Sequence, residues 1–172
     1  VQIKSWQPDI IHETYYSKLP TFDSHAVHIT TVYDMIHELF SNQYSIFHKA
    51  VRFKKKTIER VDHIITISHS TKNDLIRLFG VKENKISVVH LGVDLNIFRQ
   101  PKVKNKFAEQ SYILYVGSRV GYKNFNGMLR ACAISNVIKN NIMIIAFGGG
   151  SFSSKELLEI NSSEPVKITD GK

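Results

Sequence analysis

Tyr112-Ile113-Leu114-Tyr115-Val116-Gly117-Ser118-Arg119-Val120-Gly121-Tyr122-Lys123-Asn124-Phe125 is the stretch on which the reading of this chain turns. Its first five residues are apolar or aromatic and read as a buried β-strand. Gly117 closes the strand, and a polar loop leads into a helix expected over residues 125–137. In open α/β sheets, ligands sit beyond the carboxyl ends of the strands. A helix start there offers unpaired N–H groups and the positive end of the helix dipole. Arg119 and Lys123 add two cations, and Asn124 stands where a helix cap belongs. Together these features suit a diphosphate. Taken alone, the loop also reads as a solvated turn with two surface cations. Its glycine spacing fits neither a dinucleotide fingerprint nor a P-loop.

Working outward, strand-like runs alternate with helical patterns. Strands are expected over 9–14, 27–33, 63–68, 85–90, 112–117 and 141–147, with another beginning at 166–168. Between them lie a short helical or looped segment (35–40), a basic helix (about 43–60), a helix from Ser70 to Gly80 and a serine-capped helix over 153–160. In the helix from Ser70, a hydroxyl cap is expected to be followed by an acidic residue in the first turn. Residues 95–110 hold Pro101 and little periodic apolarity, and read as a crossing between domains. Strands and helices in alternation, without hairpin signals, point to parallel α/β sheets. The nearly continuous apolar strands suggest sheets covered on both faces.

The 172 residues suffice for one domain or two small ones. No stretch is apolar enough to span a bilayer, and the start has no signal-peptide pattern. The chain lacks an initiating Met and is expected to begin mid-protein. A single cysteine, Cys132, excludes an intramolecular disulfide, fits a reducing compartment and is expected in the core. The net charge of +8 suits anionic partners, whether nucleic acid, anionic lipid or phosphorylated small molecules.

Tyr115-Val116-Gly117-Ser118-Arg119 with Tyr122-Lys123-Asn124-Phe125 resembles the opening of the C-terminal domain of the retaining GT-B glycosyltransferases, the "group 1" family, family four. Further stretches agree in order: Asp9-Ile10-Ile11-His12, Thr31-Val32-Tyr33-Asp34-Met35-Ile36 and Ile65 through Leu75 resemble N-terminal-domain segments. Val89-His90-Leu91-Gly92-Val93-Asp94 with Phe98 is similar to the family's signature before the crossing, and Phe147-Gly148-Gly149-Gly150 to its glycine turn. The resemblance implies parts of two Rossmann-like domains: residues 1–99 from the N-terminal, acceptor-side domain and 100–172 from the C-terminal, donor-side domain.

Such enzymes move a sugar from a nucleotide diphosphate donor with retention, usually without a metal or other cofactor. Protein cations must then stabilise the departing diphosphate. By resemblance, Arg119 and Lys123 bind the diphosphate beside Gly117, and Gly148 and Gly149 line the nucleotide. Arg119 lies two residues after Gly117, where many relatives have it one after, so Lys123 is the firmer assignment. The glycines also read as a plain turn. Asp34 is placed on the cleft side, after Tyr33, where many relatives carry histidine. Gly92 and Asp94 are expected to set a backbone turn. The family's acceptor loop and its paired-glutamate motif are absent, and Glu156, Glu159 and Glu164 stand in the wrong context to replace the latter. The piece alone is therefore expected to be a poor catalyst.

The implied activity is transfer of a mannose- or glucose-type hexose from a GDP- or UDP-linked donor to a glycan or lipid-linked acceptor. Polysaccharide or lipopolysaccharide assembly in the cytoplasm, at the inner face of the membrane, is the expected setting. The alternatives are a non-catalytic nucleotide-binding α/β module and a basic nucleic-acid-binding protein, the latter without a recognisable motif. The basic helix has Lys49, Arg52, Lys54, Lys55, Lys56 and Arg60 around Phe47, Phe53 and Ile58. It reads either as an attachment to anionic lipid or as a solvated face over a core. The eight histidines do not form a metal pattern: His25 and His28 fall on opposite strand faces, His63 and His69 are far apart, and Asp34, His37 and Glu38 lack the zinc-protease spacing.

Overall fold

The computed structural model describes residues 6–16, 25–43, 48–97, 110–162 and 168–170. The chain divides into two compact units, Val1–Leu95 and Asn96–Lys172.

In the first unit, β1 (Ile10–Glu13), β2 (Val27–Val32), β3 (His63–Thr66) and β4 (Ile86–Val88) form one sheet in that order. All three pairings are parallel, with Ile29 beside His63 and Ile64 beside Ile86. Parallel neighbours need crossovers, and between β2 and β4 helices supply them. These are α1 (Ile36–Leu39) with α2 (His48–Arg60) between β2 and β3, then α3 (His69–Phe79) between β3 and β4. The core joins Val32, Met35, Ile58, Val61, Ile64, Leu75 and Ile86. Buried strand threonines satisfy their hydroxyls across the sheet: Thr30 donates to the Glu13 carbonyl at 2.9 Å.

The basic helix has the solvated face expected of it, with one correction at Lys54. Lys54, Thr57 and Ile58 share its buried face, so one of its lysines lies inside, while Lys49, Arg52, Lys55 and Lys56 are exposed. Arg60 pairs with Glu13 on β1. Phe47 lies outside the described residues.

Helix α3 starts earlier than the sequence suggests. Ser68 is its cap: the Thr71 N–H donates to Ser68 Oγ at 3.1 Å. Ser68 keeps the extended backbone of the strand it leaves (φ −155°, ψ 157°), as a cap requires. Asp74 therefore falls beyond the first turn and pairs with Arg77 at 2.6 Å. Gly80 ends the helix in the left-handed region (φ 66°), as expected.

In the second unit, β5 (Tyr112–Val116), β6 (Met143–Phe147) and β7 (Ile168–Asp170) form a parallel sheet in that order. Helix α4 (Phe125–Ile134) stops before its expected end because Ser135 caps a separate helix, α5 (Asn136–Asn141). Its Oγ accepts from the Ile138 N–H at 3.4 Å. Strand β6 starts at Met143 for the same reason. Helix α6 (Ser154–Ser162) follows β6.

Phe125, Leu129, Cys132, Ile144 and Ala146 form the second core. Cys132 is buried there, and burial pushes its thiol pKa up. The expectation of a sheet covered on both faces holds for the central strand β6, whose consecutive Ile144, Ile145 and Ala146 are all buried, and fails at β5. Alternate residues of β5 face the core, while Leu114, Val116 and the neighbouring Phe147 are exposed.

Candidate functional site

The second unit's chemistry gathers at the carboxyl ends of β5 and β6. Gly117, with φ 131°, donates its N–H to the Phe147 carbonyl at 2.9 Å. The following turn runs through Gly148, Gly149 and Gly150, with φ of 97°, 75° and 74°. Only glycine adopts such values cheaply. A Cβ on Gly148 would come within 3.3 Å of the Gly117 backbone, so the two strand ends approach closely.

Arg119 sits inside this turn. Its Nε donates to Glu156 Oε1 at 2.7 Å. Its Nη1 donates to the carbonyls of Gly148 at 2.6 Å and Gly150 at 3.0 Å. Its Nη2 donates to the carbonyls of Ser151 at 2.9 Å and Gly149 at 3.4 Å. The guanidinium stacks on Phe152 with 4.5 Å to the ring centroid. The side chain is 3% exposed. A guanidinium has five N–H donors, and here the protein itself engages them. The resemblance would place Arg119 on phosphate; in this structure it faces backbone carbonyls and a carboxylate.

Glu156 is the residue that sequence reasoning set aside. Its carboxylate also accepts from Ser153 N–H and Ser153 Oγ, both at 2.7 Å, and the Glu156 N–H donates back to Ser153 Oγ at 3.3 Å. This is a capping box at the start of α6. The bond from Arg119 is the largest cause holding the Glu156 pKa down, at about 2. The signal was present as Ser153 and Glu156 three apart; the partner across 37 residues was not.

Lys123 ends a 3-10 turn, Gly121–Lys123, and is exposed, its Nζ 5.1 Å from the Tyr122 ring centroid. Asn124 occupies the cap position of α4 but does not cap it. Its own backbone is left-handed (φ 51°, ψ 42°), whereas a capping side chain needs an extended one. Its amide lies instead over Gly127, where a Cβ would come within 2.4 Å of it. An open cavity of about 540 Å³ adjoins the turn, lined by Arg119, Gly121, Asn124, Arg130, Gly149 and Ser153 among others. Lys123 does not line it, whereas Arg130, which sequence reasoning passed over, does.

In the first unit Asp34 follows β2. Its Oδ1 accepts from the Ile36 N–H at 3.1 Å, and its carbonyl accepts from Lys54 Nζ at 2.9 Å. Lys54 Nζ also meets Glu38 Oε2 at 2.8 Å and lies 5.3 Å from the Tyr16 ring centroid. Burial, then the charges of Asp34 and Glu38, push the Tyr16 phenol pKa up. Among the described residues, no three of His, Cys, Asp and Glu converge as a metal site would require. No described helix is long and apolar enough to cross a membrane.

Comparison with known proteins agrees with this architecture. The O-antigen chain mannosyltransferase RfbU of Salmonella typhimurium is 29% identical over 76 residues, 44% of this chain and 20% of that protein. The Staphylococcus aureus TarM G117R mutant, solved with Fondaparinux, alpha-GlcNAc-glycerol and UDP, aligns at a TM-score of 0.60 and 16% identity, over 86% of this chain and 29% of its own. A glycosyltransferase from Rickettsia africae ESF-5 aligns at 0.55 and 17% identity, over 99% of this chain and 48% of its own. The chain thus spans less than half the length of each of these three. The profile of Glycosyltransferase Family 4 matches residues 2–97, more than half of the chain and nearly all of the first unit. The chain belongs to Glycosyltransferase Family 4.

Proposed function

We propose that the chain is part of a retaining glycosyltransferase and that its second unit holds the diphosphate of a nucleotide sugar. The observation that carries this is the convergence of β5 and β6 on a left-handed glycine turn, beside the start of α4 and the exposed Lys123. Backbone N–H groups, a helix dipole and a mobile ammonium suit a leaving diphosphate that gains negative charge. Lys123 is assigned to the phosphates, Gly117 to the turn beside them, and Gly148 and Gly149 to the nucleotide, its diphosphate included. Asp34 is assigned to the acceptor-side cleft. The chemistry proposed runs on protein cations without a metal.

The donor is a UDP- or GDP-linked hexose of mannose or glucose type. RfbU's name, an O-antigen mannosyltransferase, supports the mannose class and a glycan acceptor in polysaccharide or lipopolysaccharide assembly. UDP in the TarM structure supports a nucleotide diphosphate as ligand. The setting proposed is cytoplasmic, at the inner face of the membrane, with the exposed basic residues of α2 toward anionic lipid.

Calorimetric titration of UDP, GDP and ADP into the chain tests the donor reading. Binding of one of them, weakened about tenfold in Lys123→Ala, is expected for the loss of a charge-assisted contact. A folded chain that binds none overturns it.

A further inference from the structure

Every described peptide bond is trans. In a trans peptide, a carbonyl and the N–H of the next residue point in opposite directions. The carbonyls of Gly148, Gly149, Gly150 and Ser151 all accept from the Arg119 guanidinium. The N–H groups of Gly149, Gly150, Ser151 and Phe152 therefore face away from it. Those of Gly149, Gly150 and Phe152 have no backbone acceptor among the described residues. Successive N–H groups turned to one side of a tight turn form an anion-binding concavity. Arg119 polarises the same peptides from behind, because a cation on the carbonyl side enhances the partial positive charge on the N–H side.

Arg119 is itself held. Glu156 grips its Nε at 2.7 Å, Phe152 lies under its plane, and Glu156 is in turn fixed by the capping box with Ser153. The chain of contacts runs from the start of α6 through one carboxylate and one guanidinium to four carbonyls of the glycine turn.

We propose that Arg119 and Glu156 are a positioning pair: they hold the turn carbonyl-inward so that its N–H groups, rather than the arginine, meet the donor's diphosphate. The proposal rests on the donor-site reading above and deepens it. Arg119 then acts through the turn, and Glu156, an acidic residue beside an anion site, strengthens anion binding.

That last consequence gives the test its sign. Removing a negative charge near an anion site strengthens anion binding by Coulomb's law. Loosening a positioning pair weakens it. UDP, GDP and ADP are titrated by calorimetry into the wild-type chain, Glu156→Gln and Arg119→Lys, with thermal melts to confirm folding. For whichever nucleotide the wild type takes, Glu156→Gln is expected to bind about tenfold more weakly. Arg119→Lys, which keeps the charge but cannot reach four carbonyls at once, is expected not to rescue binding.

In a parallel ¹⁵N NMR titration of the wild type, the Gly149 and Gly150 amides are expected to shift while the Arg119 Nε–H does not. Equal or tighter binding by Glu156→Gln, or an Arg119 Nε–H that shifts as far as the glycine amides, overturns the proposal and leaves the donor site standing. A wild type that binds no nucleotide sinks the donor reading, and the pair's role with it. If Glu156→Gln does not fold, the wild-type NMR titration decides.

Discussion

Lys54 Nζ lies 2.8 Å from Glu38 Oε2 with both side chains withdrawn from solvent, 1% and 5% exposed. The lysine also donates to the Asp34 carbonyl, tying α2 to the loop that leaves β2. Glu38 Oε1 has no partner among the described residues. Breaking such a pair strands a buried charge, which costs about 3–5 kcal/mol, whereas replacing both members with apolar residues is often neutral. Lys54→Met is expected to destabilise the chain by that amount in urea unfolding, and Lys54→Met with Glu38→Leu to recover most of it. A fully additive double mutant would refute the coupling.

Glu156 makes stability pH-dependent. Its folded pKa is depressed to about 2, below its ordinary value of 4.5. The unfolded state thus binds the proton more readily. The stabilisation is present above the ordinary carboxylate range and is lost as pH falls from about 4.5 through about 2. At neutral pH it is on the order of 2–3 kcal/mol. Melting curves of wild type and Glu156→Gln should differ at pH 7 and converge near pH 2.

The glycine turn offers a matched pair of substitutions. Gly149 and Gly150 have nearly the same φ, 75° and 74°. A Cβ on Gly149 would sit 3.1 Å from Arg119 Nη1, while one on Gly150 meets nothing within 4 Å. Gly150→Ala should therefore cost only the left-handed strain, about 1–2 kcal/mol. Gly149→Ala should cost more, because it also pushes on the guanidinium. Chemical denaturation of the two variants measures the difference.

Cys132 should be silent in the native state. It is 4% exposed, and burial holds its thiol protonated. A thiol reagent at neutral pH is expected to react slowly with the folded chain and rapidly in denaturant, since only the thiolate attacks. Fast native labelling would show that α4 opens readily.

The parallel α/β class was legible because apolar strand-like runs alternate with helical patterns without hairpin signals, and the strand at Tyr112 with its following loop was visible outright; the strand order comes from the structure. Helix ends were less so. Ser68 and Ser70 are equivalent as letters, and only the extended backbone at Ser68 separates them. Ser135 splits an apparently continuous helix in the same way. The interior ion pairs were invisible. Lys54 looked like one of six cations on a basic helix, and its partner Glu38 lies 16 residues away. The sequence places Arg119 in the loop after β5, where the structure has it. Its neutralisation by Glu156 depends on a turn whose carbonyl directions no residue pattern encodes.

A single carboxylate, that of Glu156, serves both the first turn of α6 and the arginine beneath the glycine loop. For evolution this makes positions 119 and 156 one character rather than two. Drift at either alone would carry a double penalty, so the family's lineages should swap them jointly or keep both.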